Sequence, residues 1–348
     1  MRQISSMLQG LARSMMAPGK ERKGGGDDDD GKAAEAVLRT SGTLRGQGSE
    51  TFAAVYSRRG EKGTNQDCSI VWEGFGCEED SILCGIFDGH GQWGHYVAKA
   101  VRDSLPPTLL RRRQEAVALA SLIDGGEKKL SDCQFDLWKQ AHLAAAATVD
   151  EELRRSRRLD AVDSGCTALS VVKQGETMVI ANVGDSRAVL ATTSDDGRGV
   201  AAVQLTVDFK PDLPQEQERI RQCNGRVFCL GDEPGVHRVW LPDQEAPGLA
   251  MSRAFGDYCV KDYGVISAPE VTQRRITARD QFVILATDGV WDVISNEEAV
   301  QIVAGTPDRK KAAKRLVQCA IRAWGRKRRG YAVDDCSAIC LFFHSPAS

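Results

Sequence analysis

Ile82-Leu83-Cys84-Gly85-Ile86-Phe87 runs without interruption into Asp88-Gly89-His90-Gly91. A short run of Ile, Leu and Phe bounded by turn-forming residues reads as a buried strand. Where it stops, an aspartate, an imidazole and two glycines are delivered to one loop. Gly89 and Gly91 let backbone approach an ion or a phosphate closely, and Asp88 offers a hard oxygen ligand. Taken alone, the same residues also read as a tight turn with a capping aspartate.

The pattern recurs along the chain. Phe282 to Ala286 is a second apolar run, and it ends in Thr287-Asp288-Gly289-Val290-Trp291-Asp292. Thr177 to Val183 ends in Gly184-Asp185-Ser186-Arg187, and Asp334-Asp335 stand immediately before a final apolar run from Cys336. Asp67, in Gly63-Thr64-Asn65-Gln66-Asp67, stands at the start of the first strand. Carboxylates gathered in one place repel one another and raise their own pKa values, so such a cluster normally persists because cations neutralise it. Oxygen ligands without paired His or Cys select Mg²⁺ or Mn²⁺ over zinc or copper. Two such ions roughly 3.5 to 4 Å apart lower the pKa of a bridging water and hold phosphoryl oxygens for in-line attack. Hydrolysis of phosphate monoesters is slow enough without catalysis to need electrostatic stabilisation on this scale.

Composition bounds the alternatives. The chain has 348 residues, 42% of them hydrophobic, which suffices for a large core without staples. Lys plus Arg at 46 against Asp plus Glu at 48 give a net charge of −2, without the field of a general nucleic-acid binder. Eleven cysteines without a Cys-x-x-Cys pair read as reduced thiols of a cytoplasmic or nuclear protein. The longest apolar runs fall far short of a membrane span.

Residues 1–50, with Gly24-Gly25-Gly26 and the acidic run Asp27 to Asp30, read as a disordered tail. Arg2, Arg13 and Lys20 without an acid faintly suggest organelle targeting, but an untargeted start is favoured, and Arg2 excludes myristoylation. One domain is expected over 51–345. Thr167 to Val172 is a further strand, Ser131 to Arg158 and Pro307 to Trp324 have helical composition, and Ser295-Asn296-Glu297-Glu298 is a capping-box signature. Strands in runs with helices grouped apart suggest sheet layers covered by helices.

These segments, with Ser164-Gly165-Cys166-Thr167-Ala168 and Ser252-Arg253-Ala254-Phe255-Gly256-Asp257, resemble the protein phosphatase 2C family over about 51–345, its plant members especially. The resemblance implies an α+β fold, a four-layer α/β/β/α sandwich with two central, mainly antiparallel β-sheets flanked by helices. It implies a protein serine/threonine phosphatase, acting as a monomer on phosphorylated protein substrates. Asp88 would bridge two Mg²⁺ or Mn²⁺ ions, the Gly89 carbonyl would bind one, and Asp288 and Asp334 the other. Asp67 matches the position that holds metal-bound water, and Asp185 and Asp292 a pair that recruits a weaker third ion with Asp288. His90 matches the general acid. Lys62 stands where many members carry a phosphate-gripping arginine, Gln66 where glutamate is frequent, and Phe209 where histidine is usual. Lysine keeps the charge but loses the bidentate fork.

The stretch Arg226 to Gly248 is expected to form a flap beside the site. Trp240 is there a candidate substrate contact, with packing against its own flap as the alternative. Arg326-Lys327-Arg328-Arg329 reads first as solvated surface, and otherwise as a nuclear signal or docking patch. Three other function classes stay open on sequence alone. They are an inactive phosphatase-like binding module, a metal hydrolase of small phosphates, and a regulatory protein using the flap.

Overall fold

Apolar residues that alternate along the chain put one layer of side chains on each face of a strand, so a sheet buried on both sides needs two apolar neighbours. The computed structural model describes residues 36–343 apart from 40, 46–50, 79, 125–132, 196, 232, 328–329 and 331. Residues 1–35 of the expected tail, and Arg328-Arg329 of the basic run, lie outside the described residues.

In chain order the strands are β1 (Val37–Leu38), β2 (Gly42–Arg45), β3 (Phe52–Arg58), β4 (Cys68–Glu73), β5 (Ser81–Phe87) and β6 (Gly89–Gly91). Two long helices follow, α1 (Gly94–Asp124) and α2 (Gln134–Arg154). Next come β7 (Ser164–Cys166), β8 (Ala168–Gln174), β9 (Thr177–Val183), β10 (Arg187–Thr193), β11 (Val200–Gln204) and helix α3 (Pro214–Gln222). The flap holds β12 (Arg226–Phe228), β13 (Arg238–Trp240) and β14 (Pro247–Leu249), and is followed by β15 (Phe255–Gly256) and α4 (Tyr258–Lys261). The chain closes with β16 (Glu270–Arg275), β17 (Asp280–Ala286), α5 (Asp288–Trp291), α6 (Asn296–Ala304), α7 (Ala312–Lys327) and β18 (Cys336–Phe342).

Two six-stranded sheets carry the fold, one in the order β1-β4-β5-β8-β9-β16 and the other β11-β10-β17-β18-β3-β2. Their ladders are antiparallel among the described residues. Between them lies a core of Val71, Ile82, Cys84, Ile86, Leu169, Val171, Met178 and Ile180 from one sheet against Val55, Leu190, Val283, Leu285, Ile339 and Leu341 from the other. The opposite faces bury Trp72, Leu83 and Phe87 under α1 and α2, and Val189, Phe282 and Ile284 under α6 and α7. The arrangement is the expected four-layer sandwich.

Three sequence readings are corrected. Strands β1 and β2 fall inside the stretch read as tail, because Val37-Leu38 pairs with Val71-Trp72 and Gly42–Arg45 adds an edge to β3. Asp67 precedes β4, not the first strand. Thr167 interrupts the strand read over 167–172, since its amide donates to the Asp88 carbonyl (2.8 Å) and its hydroxyl accepts from the Asp88 amide (3.1 Å). Helix α1 runs through Pro106-Pro107. Burying Val97, Ala98, Val101, Leu109 and Leu110 offsets the roughly 3 kcal/mol per interior proline. The capping box stands as read, with Ser295 Oγ accepting from the Glu298 amide and Glu298 accepting from the Ser295 amide.

His142, on the inner face of α2, donates from Nδ1 to the Trp138 carbonyl (2.8 Å), while its buried Nε2 has no partner. Burial lowers its pKa to about 4, against an ordinary value of 6.5. As pH falls from 6.5 toward 4 the unfolded chain binds the proton first, so stability that is whole above 6.5 is lost across that window, by on the order of 3 kcal/mol. Urea melts at intervals between pH 7 and 4 are expected to show this slope, and His142→Leu to flatten it.

Candidate metal centre and active site

The carboxylates singled out in sequence come from strand ends of both sheets. Asp67 precedes β4, Asp88 follows β5 and Asp185 follows β9 in one sheet, while Asp288 follows β17 and Asp334 precedes β18 in the other. They meet. Asp88 feels the charges of Asp67, Asp288, Asp334 and Asp185, and Asp288 those of Asp185, Asp334 and Asp292. Burial first, and these neighbours second, push the Asp88 and Asp288 carboxyls well above the usual range. Burial likewise lifts Asp67 to about 7, with hydrogen bonds from Ser337 and Thr287 opposing it. Asp292 is exposed on the rim, its amide bonded to the Asp288 carbonyl at 2.8 Å.

Close backbone packing sets these residues. A Cβ at Gly89 would collide with the carbonyls of Gly94 and Gln66, and one at Gly289 with that of Asp335, so neither position admits a side chain without backbone movement. The Gly289 carbonyl accepts from Trp324 Nε1 at 2.7 Å, which fixes the turn after Asp288 from the helical layer. Asp335 accepts the amides of Gly60 and Gln66, each at 2.7 Å, and so ties the loop before Asp67 to the start of β18. Thr287 Oγ1 donates to Asp67 at 3.1 Å across the two sheets.

Two lysines supply positive charge. Lys62 Nζ lies 2.5 Å from Asp334, and Lys210 pairs with Asp185. Among the described residues no three Asp, Glu, His or Cys side chains converge closely enough to hold an ion as they stand, since Asp334 and Asp185 are each turned onto a lysine. The donor set still fits hard cations. It is all oxygen, and Asp67 Oδ1 and Asp185 Oδ1 are buried with no hydrogen-bond partner.

His90 stands beside the carboxylates on β6. Its Nε2 donates to Asp257 at 2.7 Å, the assignment following from a carboxylate's ability only to accept, and its Nδ1 is buried without a partner. Burial works against the charged ring, but Asp257, Asp185 and Asp288 outweigh it and raise its pKa.

Sequence reading gave no role to Asp257, Lys210, Asp335 or Thr287, although each lies in or next to a motif already quoted. For Asp257 and Asp335 a carboxylate inside a short motif at a strand end was the available signal. Gln66 donates from Nε2 to the Gly91 carbonyl at 2.9 Å, a bond that glutamate could not make. Phe209 is buried with Arg253 stacked 3.7 Å from its ring centroid, a structural position as read. Trp240 is turned inward. It is 4% exposed, stacks on Phe228 and donates Nε1 to the Phe228 carbonyl at 3.1 Å, so the indole is occupied within the flap sheet and is not offered to a substrate.

Replacing Asp88 by Asn removes one of the mutually repelling charges. With chelator present, Asp88→Asn is expected to raise the melting temperature by a few degrees at pH 7.5. A raised carboxyl pKa costs stability as pH climbs through it, so the gain shrinks toward pH 4.5 as the wild-type carboxyl takes up its proton. Paired thermal melts at the two pH values check this.

The protein phosphatase 2C family model matches residues 54–326. The chain is 79% identical to "Probable protein phosphatase 2C 48" of Oryza sativa subsp. japonica, over the full length of both. It is 58% identical to "Probable protein phosphatase 2C 73" of Arabidopsis thaliana, covering 98% of this chain and 95% of that one. In fold it is similar to the serine-threonine phosphatase 2C of Toxoplasma gondii, with a TM-score of 0.76 at 24% identity, over 88% of this chain and 99% of that one. The chain therefore belongs to the protein phosphatase 2C family, the metal-dependent protein serine/threonine phosphatases.

Proposed function

We propose that the chain hydrolyses phosphoserine and phosphothreonine in proteins with two Mg²⁺ or Mn²⁺ ions, and a weaker third, held by this carboxylate cluster. The observation that carries the reading is the meeting of five strand-end aspartates from two sheets beside one paired histidine and one exposed lysine. Asp88, the Gly89 carbonyl, Asp288 and Asp334 would hold the two ions, with Asp67 beside them and Asp185 and Asp292 serving the third. Bound there, the ions supply Lewis acidity toward phosphoryl oxygens and make a water acidic enough to attack near neutral pH.

The chain's own groups do the rest. Lys62, exposed at the mouth, offers an ammonium to a phosphoryl oxygen, as a point charge without a fork. Asp257 holds the Nε2–H of His90, which fixes the ring and leaves Nδ1 as the nitrogen able to hand a proton to the departing serine or threonine oxygen. Thr287 and Asp335 hold Asp67 and its loop in place. Cys84, Cys166, Cys336 and Cys340 are buried free thiols, which supports a reducing compartment, cytoplasm or nucleus. Among the described residues no helix is long and apolar enough to cross a membrane.

Purified protein with Mn²⁺ or Mg²⁺ is expected to act on a phosphothreonine peptide, and not on a phosphotyrosine peptide or a nucleotide, and to stop when a chelator is added. Chelator-resistant turnover, or activity on the nucleotide alone, would count against the reading. His90→Ala is expected to lose roughly 10²- to 10⁴-fold in turnover of the phosphothreonine peptide. Its loss on p-nitrophenyl phosphate, whose leaving group needs little protonation, should be much smaller. Equal losses on the two substrates would reject the acid role.

A further inference from the structure

Three residues beyond His90, the chain places two aromatic side chains in solvent. Of the six tryptophans, five are buried to 7% exposure or less, but Trp93 is 40% exposed and its neighbour Tyr96 is 52% exposed. Their ring centroids lie 6.2 Å apart, and the His95 ring lies 4.0 Å from that of Tyr96. Uncovered large aromatics on a rigid element are a costly use of surface unless they meet a partner.

The backbone beneath them is fixed on every side. The Trp93 amide donates to Ser164 Oγ at 3.0 Å, on the strand that pairs with His90. The Trp93 carbonyl accepts from the amides of Tyr96 and Val97, at 2.9 and 3.1 Å, as the first turn of α1 begins. Gln66 grips the Gly91 carbonyl from the other side. Val162, two residues before Ser164, is a third apolar side chain left 47% exposed on the segment that anchors Trp93. The rings are thus presented by a braced loop that is continuous with the catalytic one.

We infer that Trp93 and Tyr96 form a platform that receives an apolar side chain flanking the phosphorylated serine or threonine of the substrate. This rests on the phosphatase reading above. His90 delivers its proton to the leaving oxygen, so the substrate's polypeptide passes on the His90 side of the site. Three residues of chain span at most about 10 Å, so the platform lies within reach of positions one to three residues from the phosphorylated one. Trp and Tyr offer broad apolar faces at low entropy cost, which suits Leu, Pro or an aromatic residue better than a charged one. Trp240, turned inward in the flap, offers no equivalent contact.

The test uses the full chain loaded with Mn²⁺ and phosphothreonine peptides that carry either Leu or Ser at each flanking position in turn. Each rate is taken relative to p-nitrophenyl phosphate turnover by the same protein, so that a loss of folded enzyme cancels. Wild type is expected to favour Leu over Ser at one or two positions by roughly five- to thirty-fold in kcat/KM, through KM. Trp93→Ala and, independently, Tyr96→Ala are expected to remove most of that preference. If Trp93→Ala does not fold, Tyr96→Ala on the outer face of α1 decides. No preference in wild type, or the same preference in both variants, overturns the platform while leaving the phosphatase reading intact. A wild-type chain that hydrolyses neither peptide nor aryl phosphate overturns that reading and the platform with it.

Discussion

Mutual repulsion among buried carboxylates is the constraint that the rest of this structure answers. Asp67, Asp88 and Asp288 are all pushed toward their neutral forms where the two sheets end together. A loose scaffold would relieve that strain by letting the loops part. Here each loop is the direct continuation of a strand whose side chains belong to the inter-sheet core, and each buried Val, Ile or Leu of that core contributes about 1.5 to 3 kcal/mol. Parting the loops would open that core to water, so the acids stay together. What the core holds in place, cations make favourable.

The same electrostatics accounts for the basic residues around the cluster. Lys210 and Lys62 are held by Asp185 and Asp334, and both are drawn toward the charged form although burial opposes it. They lower the repulsion without joining the ligand set, because an ammonium donates hydrogen bonds and offers no lone pair. Asp257 does for His90 what the lysines do for the acids. It supplies the opposite charge that a buried ring needs, and it also decides which nitrogen is free. Glu216 is a comparable knot in the scaffold. Burial alone would raise its pKa, yet Arg219, Arg253 and Ser252 hold it at about 2, and so bind α3 to the Ser252–Asp257 loop that carries the histidine's partner.

Much of this was legible in the chain. Unbroken apolar runs such as Phe282 to Ala286 have few alternatives to a doubly buried strand, and an aspartate directly after such a run must sit at a sheet end. Ser295 and Glu298 announced a helix start because a capping box is a purely local device. Features set by distant parts of the chain were not legible. Thr167 breaks a good strand pattern because Asp88 needs its amide and hydroxyl, and α1 survives Pro106-Pro107 because a sheet covers its inner face. Strands β1 and β2, of two and four residues, are too short to stand out, and stand as edges added to sheets already formed. The pairing of His90 with Asp257 spans 167 residues, and no local pattern could have joined them.

Substrate choice on such a scaffold has to come from surfaces that the fold does not need for itself. The flap fits that description in sequence but not in structure. Its three strands form a small sheet whose own core holds Val239, Leu249 and Met251, and Trp240 stacks on Phe228 with its polar handle used. Around the catalytic loop the balance is reversed. The backbone from Gly89 to Gly94 is clamped by Gln66, Ser164 and tight packing at its glycines, yet Trp93 on it and Tyr96 just beyond it are left exposed. A braced backbone carrying uncommitted side chains loses little further entropy on binding, and so more of the contact energy survives as affinity. By that criterion the His90 side of the site, more than the flap, is where this chain is built to read the polypeptide it acts on.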